Sequence, residues 1–155
     1  MVEENNDIIM EEECWEIKPE ILAYLAGIID GEGCIAIESP SGHKSVNRQH
    51  RLAVRCTMMD SEAIKLLCLA FPGSYRYDEK RGGTYEWAVL SSRAYSCLQQ
   101  LLPYLRVKRY QAVVGMAFQE TCIKKVGGNK KLTEYEIAQR DRYMKQLSDM
   151  KHEKL

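Results

Sequence analysis

The chain has 155 residues, of which 45% are hydrophobic and 28% charged, with 22 basic side chains against 22 acidic ones. That length supports one domain with its own core and is short for two. No apolar run approaches the ~18 residues needed to cross a bilayer, and the acidic N-terminus lacks the basic and apolar regions of a secretory signal. No membrane partner and no secretion are therefore expected; a cytoplasmic or organellar location is.

The zero net charge hides an asymmetry. Residues 1–20 carry eight acids (Glu3, Glu4, Asp7, Glu11, Glu12, Glu13, Glu16, Glu20) against Lys18 alone, which leaves 21 bases and 14 acids in the remaining 135 residues. A moderately basic body behind an acidic leader is compatible with a polyanionic partner, although solvated Lys/Arg faces are common. Residues 1–14 read as a flexible acidic leader and 15–155 as a single domain.

In chain order, Pro19 suits a first helical turn, and a helix is predicted over about 19–30 with Ile21, Leu22, Leu25, Ile28 and Ile29 as its apolar set. "CIAIES" (34–39) reads as a strand and "PSGHKSVNRQH" as a loop. "RLAVRCTMM" (51–59) alternates, with Leu52, Val54, Cys56 and Met58 on one face and Arg51, Ala53, Arg55 and Thr57 on the other. Asp60 is placed to N-cap a helix over 61–71 that "FPGS" ends. Two short strands, 74–78 and 84–90, flank the turn "DEKRGG". Ser91 or Ser92 is placed to cap a helix to about 102, where Pro103 breaks it. A helix over 109–126 follows, and Thr133 with Glu136 makes a capping box for a last helix over 134–151. Two hairpins interleaved with helices make an α+β layer with one sheet face covered and the other open.

The six cysteines (14, 34, 56, 68, 97, 122) and three histidines show no paired ligand spacing, so they read as small apolar residues and scattered imidazoles rather than as a zinc site or a disulfide framework.

The stretch "LAGIIDGEG" (25–33) is harder to explain as structure alone. Ala23, Gly27 and Gly31 recur every four residues, one line on a helix, and small residues there let another helix backbone come close. Glycines after Asp30 also suit a helix stop. The acids do not: carboxylates are unfavourable at a helix C-terminus, so Asp30 and Glu32 beside exposed carbonyls suggest a hard-cation site such as Mg²⁺ or Ca²⁺.

This nonamer resembles the motif of the LAGLIDADG homing endonucleases, with Ile28 at its fourth place and Gly31-Glu32 at its seventh and eighth. "LLPYLRVKRYQA" (101–112) is similar to the family segment that carries a lysine near the active site, and the order of elements is similar to the family's αββαββα core. The likeness runs from about residue 19 to 126. It implies an antiparallel sheet bent into a saddle over the DNA major groove, with C-terminal helices added to the core. It also implies two motif helices packed together, and one acid from each motif holding a divalent metal at the scissile phosphates. With one motif copy in the chain, it implies a C2 homodimer.

By that resemblance Glu32 is the metal-binding acid and the Gly31 carbonyl a further ligand, for Mg²⁺ with Mn²⁺ or Ca²⁺ able to substitute. Lys108 matches the family lysine, and Asp60 falls where members carry a polar residue that positions water, while also being a good helix cap. Asp30 falls on a position that supports the helix ends. Ala23, Gly27 and Gly31 become the subunit contact. From the strand alternation, Arg51, Arg55 and Thr57 are candidates to face DNA, and Glu38 is a candidate acceptor for cytosine. Lys44 and Arg48 in the first hairpin loop, and Lys80 and Arg81 in the second, suit phosphate contacts. "TYEWAVL" leaves open whether Tyr85, Trp87 and Val89 face core or DNA.

The function this implies is a homodimeric, metal-dependent endonuclease cutting both strands of a long double-stranded DNA site, a hydrolase acting on phosphodiester bonds and serving intron or intein mobility. No small-molecule substrate is expected. The alternatives are a catalytically inactive DNA-binding regulator or intron RNA maturase of the same fold and, more distantly, a plain dimerisation module.

Overall fold

In this computed structural model the described residues are 8–11, 14–39, 50–123 and 132–152, so Lys44 and Arg48 lie outside them. The acidic leader segment contains a small antiparallel hairpin, β1 (Ile8–Glu11) with β2 (Cys14–Ile17), in which Ile8 lies opposite Ile17. The remaining elements are α1 (Pro19–Glu32), β3 (Gly33–Glu38), β4 (Arg51–Met58), α2 (Ser61–Ala70), β5 (Ser74–Asp78), β6 (Thr84–Leu90), α3 (Ser91–Leu101), α4 (Arg109–Ile123) and α5 (Glu134–His152). From α1 to α4 this is the expected order, and β3 to β6 form one antiparallel sheet in the order β3-β4-β6-β5.

Local chemistry sets most boundaries. Pro19 opens α1. The Asp60 carboxylate accepts the Glu62 amide at 2.7 Å and caps α2. Thr133 and Glu136 bond reciprocally, amide to carboxylate at 2.7 Å and amide to hydroxyl at 3.2 Å, so the capping box of α5 is present. The cap expected at Ser91 or Ser92 is absent: Leu90 holds the N-cap position of α3 without a side-chain bond, and Ser91 takes a left-handed φ of 52° as the chain turns directly from β6 into helix.

Helices α1 to α4 cover one sheet face. Leu25 and Ile29 of α1, Ile35 of β3, Leu52 and Val54 of β4 and Ile64 and Leu67 of α2 are wholly buried there. The register settles the undecided strand β6. Trp87 pairs with Cys56 and Val89 with Val54, so both belong to the core face, and Tyr85 packs partly buried beside them. The Trp87 indole Nε1–H donates to the Phe71 carbonyl at 2.9 Å, meeting its polar need inside the core.

The last helix, α5, packs on α4 and along the edge strand β3. Leu147 is buried, Tyr143 meets Phe118 edge to face, and the His50 ring, fully enclosed, lies 2.8 Å from the Asp141 carboxylate. An otherwise open sheet edge is thereby covered.

Candidate nucleic-acid interface and metal site

The motif ends differently from a glycine-stopped helix. Helix α1 runs through Gly31 to Glu32, two residues past the expected end, and Gly33 caps it in an extended conformation (φ −81°, ψ 165°). What requires glycine at 33 is proximity, not a left-handed backbone: a Cβ there would lie 2.8 Å from both the Cα and the carbonyl oxygen of Ile29. The chain thus passes from α1 into β3 with no connecting residue. Glu32, in the last helical turn, is exposed, and among the described residues its carboxylate has no hydrogen-bond or ion-pair partner. The neighbouring Gly31 carbonyl belongs to the last turn, where no further helical amide follows.

Asp30 has a different task. Its two carboxylate oxygens accept the backbone N–H groups of Arg106 at 2.8 Å and Lys108 at 2.9 Å, in the segment that leads into α4. In return the Lys108 ammonium donates to the Asp30 main-chain oxygen. Helix α1 has no basic residue in its own last turn, so Lys108 supplies the cation that its C-terminal dipole favours. Burial pushes the Cys56 thiol up to about 11; the Glu32 charge adds to the rise and Lys108 opposes it. The Lys108 ammonium is thus tied to the last turn of α1, the turn that also carries Glu32.

Ala23, Gly27 and Gly31 line the uncovered side of α1, where Cβ atoms added at Gly27 or Gly31 would meet nothing within 4 Å. Tyr24, 51% exposed, stands next to this line. An apolar helix face of small side chains that no described element covers is suited to a second helix.

The open sheet face carries Glu38, Arg51, Arg55 and Thr57, as the alternation predicts. It also carries Glu86 of β6, opposite Thr57, and Arg76 of β5, opposite Glu86. These two were missed. A signal existed: Ser74, Arg76 and Asp78 alternate with Tyr75 and Tyr77, and Glu86 must oppose Trp87 once Trp87 is placed in the core. The charged groups form a chain. Glu38 accepts from Arg55 Nε at 2.7 Å and Nη2 at 3.0 Å and from Arg51 Nε at 3.2 Å; Glu86 lies 3.5 Å from Arg55 and 3.2 Å from Arg76. The Arg55 hydrogen bond first, with Arg51 assisting, holds the Glu38 carboxyl below its ordinary range against the opposing effect of burial. Between Glu38 and Arg55 lie Ala36 and Ala53, whose small side chains leave room for the pair to extend over them, and Ala53 is wholly buried.

Of the other candidates, Asp60 gives its carboxylate to the α2 cap. Lys80 and Arg81 sit exposed in the β5–β6 turn, where Asp78 accepts the Lys80 amide at 3.0 Å and lies 3.8 Å from Arg81. Lys151, near the end of α5, reaches Cys34 on the open face, its Nζ 3.2 Å from the thiol sulfur. No group of three or more His, Cys, Asp or Glu side chains converges among the described residues. At the end of α1 the described residues offer a hard cation the Glu32 carboxylate and the Gly31 carbonyl, a donor set that fits Mg²⁺ or Ca²⁺ only with oxygens from elsewhere.

No protein-family profile matches the chain. Among curated proteins it is 25% identical over 114 residues to the intron-encoded DNA endonuclease aI3 of Saccharomyces cerevisiae; the match covers 71% of this chain and 28% of that protein. Its fold is similar to that of the homing endonuclease I-CvuI, solved with the I-CreI target in the presence of Mg (TM-score 0.70, 22% identity, 86% of this chain and 83% of that one). It is also similar to the archaeal intron-encoded homing endonuclease I-Vdi141I, solved with DNA (TM-score 0.69, 12% identity, 83% and 82%). A third likeness is to the LAGLIDADG homing endonuclease I-LtrWI bound to its target DNA, with a TM-score of 0.63 and 16% identity over 88% of this chain and 47% of that one.

Proposed function

We propose, from the LAGLIDADG homing-endonuclease fold that this chain has, that it is a site-specific double-strand DNA endonuclease acting as a homodimer with a divalent metal. The observation that carries the reading is Glu32: an exposed carboxylate, without a partner among the described residues, at the end of a helix whose small-residue side is exposed and whose last turn binds the Lys108 ammonium at the Asp30 carbonyl.

The donor set supports the homodimer. Two α1 helices packed along Ala23, Gly27 and Gly31 would bring two copies of Glu32 together and so supply the second carboxylate that a hard cation would need. Glu32 and the Gly31 carbonyl would hold the ion, Mg²⁺ with Mn²⁺ or Ca²⁺ as substitutes. When bound, such a metal offsets phosphate charge, acidifies water and stabilises the leaving 3′-oxygen. Lys108, fixed by its bond to the Asp30 carbonyl, keeps a positive charge next to the scissile phosphate. Asp60, at the start of α2, remains the candidate for ordering water. Arg51, Arg55 and Thr57 on the open face read base edges, while Lys44, Arg48, Lys80 and Arg81 contact phosphate.

A cleavage selection on a randomised duplex library with Mg²⁺, read by sequencing, tests this reading. Recovery of one long, near-palindromic site supports it. Tight, specific binding without cleavage in either Mg²⁺ or Mn²⁺ would instead identify a non-enzymatic DNA-binding relative.

A further inference from the structure

The open face presents an unusual DNA surface, because its arginines already have anionic partners. Along the row Arg51, Glu38, Arg55, Glu86, Arg76 the charge alternates, and each guanidinium lies within 3.5 Å of a carboxylate. A phosphate competes with those carboxylates for the same positive charge. A guanine edge does not have to. Glu38 takes Nε and one Nη2 donor of Arg55, and Glu86 lies 3.5 Å from Nη1, which leaves two of the five guanidinium donors for O6 and N7. The alanines at 36 and 53 leave space for Arg55 to stretch back along the sheet to Glu38 instead of projecting from it.

We infer that Glu38 and Glu86 are specificity-determining positioning residues, which hold Arg51, Arg55 and Arg76 against the sheet and so suppress binding through phosphates in favour of guanine readout. The inference rests on the proposed DNA-endonuclease function. Glu38 then acts through the arginines, a different role from direct pairing with cytosine.

The test compares the full chain with Glu38→Gln and Glu86→Gln for binding to a mixed-sequence duplex of about 30 base pairs over a range of salt concentrations. Each glutamine removes a competitor for guanidinium without removing side-chain volume. Both variants are expected to bind this non-cognate duplex several-fold more tightly at low salt, with the slope of log K against log salt steeper by about 1 for each arginine released. Library selection should then show weaker preference for guanine at the positions the arginines reach. A substantial slope that is the same in all three proteins overturns the inference and leaves the DNA reading standing. A slope near zero in all three overturns the DNA reading and the inference with it. In the free protein, the Arg55 Nε–H should exchange slowly by NMR and become fast in Glu38→Gln; fast exchange in the unaltered chain means the restraint does not exist.

Discussion

Asp30 and Lys108 cap each other's segments across 78 positions of sequence: the Asp30 carboxylate accepts the Lys108 amide at 2.9 Å, and the Lys108 ammonium donates to the Asp30 carbonyl oxygen. The acid that seemed misplaced at a helix C-terminus is thus a cap for a different segment. It satisfies two amides that precede α4, and the lysine answers the dipole of α1. One connection fixes both ends of the candidate site, since Glu32 lies two residues beyond Asp30 and the Lys108 ammonium is bonded to the Asp30 carbonyl.

Replacing Asp30 by Ala leaves the Arg106 and Lys108 amides without their acceptor. The expected loss is about 1 to 2 kcal/mol of unfolding free energy, the usual range for a removed cap. Urea denaturation measures it. Cleavage should fall further than stability predicts, because Lys108 loses its fixed position. An unchanged denaturation midpoint would show that solvent serves those amides equally well.

Glu32→Gln keeps the shape of the side chain and removes its charge. Groups one step removed from a metal commonly change affinity or activity by about 10–100-fold, so loss of a direct ligand is expected to reduce cleavage by more than about 100-fold. Binding of duplex should survive, since the open face is untouched. Glu32→Asp should retain measurable activity, and chelation by EDTA should abolish the activity of the unaltered chain reversibly. Full cleavage by the Gln variant would remove Glu32 from the metal site.

Much of this site was legible in the sequence because its signals are local. "RLAVRCTMM" alternates, Asp60 precedes a helix, and the small residues of α1 keep a four-residue spacing. Strand β6 was not legible: "TYEWAVL" has bulky groups at both parities, and only its pairing with β4 assigns Trp87 to the core and Glu86 to the open face. The Asp30–Lys108 connection and the Glu38–Arg55 pair were equally hidden, since each joins segments brought together by the tertiary fold. The hairpin within the acidic leader was missed because its charge content outweighed the apolar residues Ile8, Ile9 and Met10 in a reading by composition.

Cys56 gives stability a pH dependence. Its thiol is ordinarily near 9.0 and is raised to about 11 in the fold, chiefly by burial and then by Glu32. Above the ordinary value the unfolded chain loses the proton while the folded one keeps it, so the unfolded state binds fewer protons and stability falls as pH rises. The contribution is complete below about pH 9 and is lost toward pH 11. Cys56→Ser should flatten the alkaline limb of a plot of thermal midpoint against pH. At about pH 8, alkylation should modify exposed Cys34 in the native protein and reach Cys56 only on unfolding.

The His50–Asp141 contact holds α5 against the start of β4, with the imidazole fully enclosed. His50→Ala removes that contact and leaves a void, for an expected loss of about 1 to 3 kcal/mol. Hydrogen exchange should quicken along α5 more than along α2, which does not depend on this contact. Equal acceleration in both helices would mean that α5 is not a separately latched element.

Gly27 separates the fold from the assembly. In one chain, a Cβ at this position meets nothing within 4 Å, and leucine is a better residue than glycine inside a helix by about 0.8 kcal/mol. A monomer should therefore tolerate Gly27→Leu or gain slightly from it. Two α1 helices packed along Ala23, Gly27 and Gly31 should not, because the added side chains force the backbones apart just where the Glu32 pair must meet. Analytical ultracentrifugation is expected to show the unaltered chain as a dimer and Gly27→Leu as a monomer with an intact circular dichroism spectrum. Double-strand cleavage should disappear with the dimer. If Gly27→Leu remains a dimer that cuts DNA, the subunits meet elsewhere, and the small residues of α1 need another explanation.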